Sequence, residues 1–155
     1  MRIFVIALLT AAAALPAGSG PAGFELWKSG ELRSFEGKLS PKINAQKVAT
    51  QALGSYGNHN FLIAHREGDG EAELHETQSD VFVVESGAGT LVVGGTVVDP
   101  KTTAPNEIRG PSIRGGEKKA VAAGDILHIP AKIPHQMLVG SGKQITYFVV
   151  KINAR

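Results

Sequence analysis

From His59 onward the chain is a series of short apolar stretches, rich in β-branched and aromatic residues, each closed off by glycine or aspartate. Phe61 to His65, Val81 to Val84, Thr90 to Val93, Thr96 to Val98, Ile126 to Ile129, Met137 to Val139 and Ile145 to Val150 have the composition of strands. Between them stand turn sequences: Gly68-Asp69-Gly70, Ser86-Gly87, Gly94-Gly95, Gly124-Asp125 and Gly140-Ser141-Gly142. Strands this short and closely spaced leave little room for helices. They must bury their apolar faces against one another, as an antiparallel barrel or a double-sheet sandwich. The segment from Asp99 to Lys119 breaks the pattern. With Pro100, Pro105, Gly110, Pro111, Gly115 and Gly116 it reads as a long polar loop, either a pocket lid or a mobile connection.

Residues 23–58 have a different texture and are expected to form an arm outside a barrel spanning residues 59–155. Leu26, Trp27, Leu32, Phe35 and Leu39 are spaced apolar anchors, with Trp27 expected to pin the arm to the barrel. Ser40 as N-cap and Pro41 at the first helical position predict a helix over 42–53, stopped by Gly54. Such an arm would cover a sheet edge or a neighbouring subunit.

Ahead of the arm, Met1-Arg2 leads into an apolar run from Ile3 to Leu15, followed by Pro16 and small residues. That order is a secretory signal over residues 1–22, with cleavage after Ala17 or Ala22. The run is shorter than the roughly 20 residues a spanning helix needs, so no stable membrane anchor is expected. The mature chain is therefore expected in the periplasm or secreted. At 155 residues one core is the working assumption. Sixteen Lys plus Arg face 14 Asp plus Glu, and the basic residues are scattered, which argues against nucleic acid as a partner. The chain has no cysteine. Disulfides, thiolate metal sites, cysteine nucleophiles and iron–sulfur clusters are excluded, and any metal must be held by imidazole, carboxylate or carbonyl.

Two clusters meet that condition. Glu73-Leu74-His75 places two donors on one face if the segment is a strand, and Asp80 follows where a turn could return its carboxylate towards His75. The second cluster, Gly124 to His135, contains a strand, a proline turn and a terminal histidine that could meet the first. Two imidazoles with one or two carboxylates suit Mn, Fe, Ni, Zn or Co.

In these clusters the chain resembles the cupins, specifically the small single-domain, conserved-barrel type. The first family motif, glycine, a gap, His-x-His, three or four residues, Glu, six residues, Gly, is matched by Gly68 or Gly70, Glu73-x-His75, Asp80 and Gly87. The second, Gly, five residues, Pro-x-Gly, two residues, His, three residues, Asn, is matched by Gly124, Pro130-x-Lys132, His135 and Val139. The resemblance covers Phe61 to Val150 and implies an all-β jelly-roll barrel, to which the arm read above adds a short N-terminal helix. It also implies His75, His135 and Asp80 as metal ligands, Glu73 in the place of the first metal histidine, and a homodimer. Glu73 is then a fourth ligand or a general base, and replacing a histidine with carboxylates shifts preference towards Mn or Fe(II).

Arg109 and Arg114, in the expected loop, are candidates to clamp a carboxylate or sugar acid, and His128 is a candidate pocket residue. His65 reads as a sheet-face residue and His59 as a solvated one. Three functions remain open: a metal-dependent enzyme of oxygenase, lyase or isomerase type acting on a small oxygenated molecule; a metal-free binding protein for a sugar or organic acid; and an assembly or sensory partner that works through its arm.

Overall fold

The computed structural model describes residues 21–154. The export signal read over residues 1–22 falls, but for its last two residues, outside the described residues. No helix among the described residues is long and apolar enough to cross a membrane.

The short apolar stretches form two antiparallel layers. In the first, β2 (His59–Arg66) lies between β1 (Val48–Ser55) and β12 (Ile145–Asn153). The layer continues from β12 to the first half of β4 (Gln78–Val93) and then to β10 (Ile126–Ile129). In the second layer the far half of β4 lies between β9 (Glu117–Ala122) and β11 (His135–Leu138). From β11 the order runs to β3 (Ala72–His75), β7 (Glu107–Gly110) and β6 (Lys101–Ala104). A two-stranded ladder of β5 (Thr96–Val97) and β8 (Ile113–Arg114) stands apart. Phe82, Val84, Leu91, Ile129, Met137, Ile145, Tyr147 and Val149 fill the core.

The turn expected at Ser86-Gly87 is instead a bend inside one strand. Thr146 pairs with Ser86 and Tyr147 with Val84, so Glu85 has no partner on β12. This bulge lets β4 leave one layer and enter the other. Gly87 has φ +74°, and a Cβ there would collide with the carbonyl oxygen of Gln144, so the bend needs glycine.

Two other expectations are corrected. The helix spans α1, Ser29–Leu39, rather than 42–53. Leu32, Phe35 and Leu39 recur at helical spacing and pack on Ala49 and Ile63, forming a second apolar cluster. Ser40-Pro41 opens only a single 3₁₀ turn, Ser40–Lys42. The chain then reverses: Lys47 takes φ +57°, the Asn44 side chain accepts from the Val48 amide, and Val48, with its β-branched neighbour Thr50, enters β1. The sheet therefore begins ahead of His59. Trp27 meets the Phe61 ring edge-on at 5.6 Å. The segment Asp99 to Lys119 is likewise no open loop, since it carries β6, β7, β8 and the start of β9. Its polar composition is that of strands at a sheet margin, with β6 exposed along its whole length.

Candidate metal centre

Strand register assembles the site. Glu73 on β3 pairs with His135 on β11 and, on its other side, with Arg109 on β7. Two residues along, His75 pairs with Glu107. In the facing layer Asp80 on β4 pairs with Lys151 on β12. The tight turn between β3 and β4 brings Asp80 back to His75, with Asp80 Oδ2 lying 3.2 Å from His75 Nε2 and 3.5 Å from His135 Nε2. One donor atom each of Glu73, His75 and His135 lies within 4.8 Å of the others. The structure thus brings together all four residues of the two sequence clusters.

Both imidazoles are aimed. His75 is 3% exposed, and its Nδ1 lies 2.7 Å from Glu107 Oε1, which leaves Nε2 for the centre. His135 is 4% exposed, its Nδ1 donates to the Ile133 carbonyl at 3.3 Å, and its Nε2 is buried with no hydrogen-bond partner among the described residues. An orphaned buried lone pair is costly unless something meets it. Tying Nδ1 to a carboxylate or carbonyl so that Nε2 is turned to the centre is the arrangement of metal-binding histidines, and at His135 that Nε2 is also open. Glu73 divides its two oxygens: Oε1 meets Arg109 at 3.0 Å and Arg66 at 3.5 Å, while Oε2 lies 3.6 Å from His75 Nε2.

The charges follow. Burial pushes His135 below the usual imidazole range against the pull of Glu73 and Asp80, so it is neutral at pH 7. Burial also opposes the charged form of His75, but the hydrogen bond to Asp80 and the carboxylates of Asp80 and Glu107 outweigh it and raise the group. Asp80 and Glu73 resist burial too. The His75 hydrogen bond and Lys151 hold Asp80 low, and Arg109, His135 and Arg66 hold Glu73 low. Lys151 Nζ lies 3.0 Å from His75 Nε2 and 3.2 and 3.3 Å from the Asp80 oxygens.

Glu73, Asp80 and His135 line a cavity of about 250 Å³ with Arg66, Arg109 and Lys151, walled on the apolar side by Leu62, Phe82, Met137 and Val149. Gly70 leaves room for this wall, since a Cβ there would stand 2.8 Å from the Arg66 guanidinium. Arg109 therefore belongs to the pocket. Arg114 and His128 do not. Arg114 is exposed on the separate β5–β8 ladder, and His128 points outward from β10, next to inward Ile129.

No family model and no curated protein matches the sequence. Solved structures match the shape. TT1209 from Thermus thermophilus aligns with a TM-score of 0.53 at 17% identity, over 73% of this chain and 90% of its own. KdgF from Halomonas sp. aligns at 0.51 and 14%, over 70% and 82%. The polyketide cyclase RemF from Streptomyces resistomycificus aligns at 0.51 and 18%, over 69% and 66%. The chain has the cupin fold.

The cupin motif explains one departure in this sequence. Lys132 stands where the motif has glycine and takes φ +66°, the left-handed conformation that glycine adopts freely. Its amide donates to the His75 carbonyl at 2.8 Å, which ties the His135 loop to the His75 strand. Sequence reasoning missed Glu107, Lys151 and Arg66. Glu107 fell in the expected loop, and an i, i+2 relation between Glu107 and Arg109, matching Glu73 and His75, was the one signal that could have found it. Lys151 and Arg66 reach the cavity through a pairing of distant strands that spacing does not reveal.

Proposed function

We propose that this chain is an exported cupin protein that holds one divalent metal through His75, His135 and Glu73 and takes a small oxygenated molecule into the barrel mouth. The observation that carries the reading is the buried Nε2 of His135, without a hydrogen-bond partner among the described residues and grouped with donor atoms of His75 and Glu73. Two imidazoles and a hard carboxylate oxygen favour Mn or Fe(II). When bound, such a metal would polarise an oxygen of the ligand as a Lewis acid. Of the two roles open to Glu73, ligand is favoured over general base. A carboxylate held low by two arginines is a weak proton acceptor at neutral pH, whereas its Oε2 remains free towards the centre.

The cavity wall balances Arg66, Arg109 and Lys151 against Glu71, Glu73 and Asp80. A divalent ion would leave it positive, so the ligand class we infer is a small organic acid with an apolar portion against Phe82 and Met137. Export is tested by locating the chain in cell fractions and reading the N-terminus of the mature form. A homodimer, proposed through the open edge of β1, is tested by its mass in solution.

The deciding experiment is elemental analysis of the mature protein purified without chelators, beside His135→Ala and Glu73→Ala. Near-stoichiometric metal in the wild type, lost in both variants, is the expected result. No metal in the wild type after reconstitution would overturn the reading. A second reading, metal-free binding of the same acid, is favoured by one observation: the Lys151 ammonium already lies between His75 and Asp80.

A further inference from the structure

Lys151 brings a full positive charge to the middle of the donor set. Its Nζ lies 3.0 Å from His75 Nε2 and within 3.3 Å of both Asp80 oxygens. In the neutral ring with its proton on Nδ1 facing Glu107, His75 has one lone pair, at Nε2, and it can accept one partner. An ammonium that donates to it and a metal that coordinates it are mutually exclusive. The same conflict arises at Asp80, whose carboxylate already neutralises Lys151 and is only 2% exposed. An acid of this kind, released from its lysine, would be a ready oxygen donor, because Oδ2 also faces His135 Nε2 at 3.5 Å. Electrostatics points the same way, since a divalent ion at His75 and His135 would stand next to a like charge in a partly buried site.

We propose that the Lys151 ammonium and a divalent metal are alternative cations for the His75–Asp80 position, so that Lys151 sets how tightly the site holds metal. In the lysine-occupied form the site offers only Glu73 and His135, and withdrawing Lys151 from His75 Nε2 makes a third donor available. Displacing Lys151 from Asp80 makes a fourth donor available. Lys151 is thus a specificity-determining residue of the centre, and its place on β12 opposite Asp80 follows from the register. The inference rests on the metal reading above.

Calorimetric titration of Mn²⁺ into the mature wild-type chain, Lys151→Gln and Lys151→Met at one neutral pH tests it. Both variants are expected to bind Mn²⁺ about tenfold or more tightly than the wild type, because the competing charge is gone. Adding Asp80→Asn to Lys151→Gln is expected to abolish that gain. Wild-type affinity or weaker binding in the lysine variants would overturn the inference alone, provided the wild type binds and His135→Ala does not. Absence of Mn²⁺ binding in every protein would overturn both readings. A second measurement needs no substitution: Zn²⁺ added to the wild type should shift the Lys151 Cε resonance together with the His135 ring signals. A shift at His135 with Lys151 unmoved would also overturn the inference.

Discussion

Two buried histidine networks lie in this molecule, and they are finished to different degrees. His65 on β2 is 1% exposed, with Nδ1 at 2.8 Å from the Thr146 hydroxyl and Nε2 at 3.1 Å from Glu67, which in turn accepts from Ser40. Every polar atom of that ring is used, and the network ties β2 and β12 to the turn that follows α1. His135 is almost as buried, yet one of its nitrogens has no hydrogen-bond partner among the described residues. Burial alone therefore does not separate a latch from a site; the unspent lone pair does.

The contrast can be broken at either network. Replacing Glu107 with Gln weakens the anchor on His75 and should lower Mn²⁺ affinity about 10–100-fold while leaving thermal unfolding of the metal-free protein nearly unchanged. Titration calorimetry and a melting curve check it. At the latch the expectation is reversed: His65→Ala should cost about 1–3 kcal/mol in urea unfolding and leave metal content as it was, because Thr146 and Glu67 lose a buried partner. Metal loss in that variant would show the two networks to be one.

The site's own contribution to stability should depend on acid. Asp80 is held below its ordinary value, so its contribution is present above about pH 4 and disappears as pH falls through the folded value. The gap between the urea midpoints of the metal-free wild type and Asp80→Asn should therefore be widest near neutrality and close under acid. A constant gap would assign the effect to packing. The smallest change expected is at Lys132, where glycine relieves the left-handed backbone and should raise stability by at most about 1 kcal/mol, visible as a small rise in Tm.

What was legible in the sequence was local. Short apolar stretches bounded by turn residues, such as Ile126 to Ile129 after Gly124-Asp125, marked strands, and His75, Asp80 and His135 stood out because few residue types hold a metal in a chain without cysteine. The helix was displaced because Ser40-Pro41 is a strong start signal that the structure spends on one turn, while the quieter spacing of Leu32, Phe35 and Leu39 decides. The partners of the site were hidden for a different reason. Glu107, Lys151 and Arg66 act across the sheet, and cross-strand register is set by which distant segments pair. A polar margin strand such as β6 has no inward face, so nothing in its composition separates it from a loop.

The unpaired Glu85 has one further effect, on phase. Before it, the even-numbered residues Asp80, Phe82 and Val84 face the interior; beyond it the odd-numbered Leu91 and Val93 do. One supernumerary residue has shifted the inside–outside alternation by half a period. Deleting Glu85 would make Val84 and Ser86 consecutive opposite Tyr147 and Thr146, so both halves would fall into one unbroken alternation with Asp80, Phe82, Val84, Leu91 and Val93 still on the inner face. What would go is the local bend and twist by which the strand passes from one layer to the other. The extra residue thus serves the path of the strand, while the alternation on either side of it keeps the donor Asp80 and the core ring of Phe82 inside.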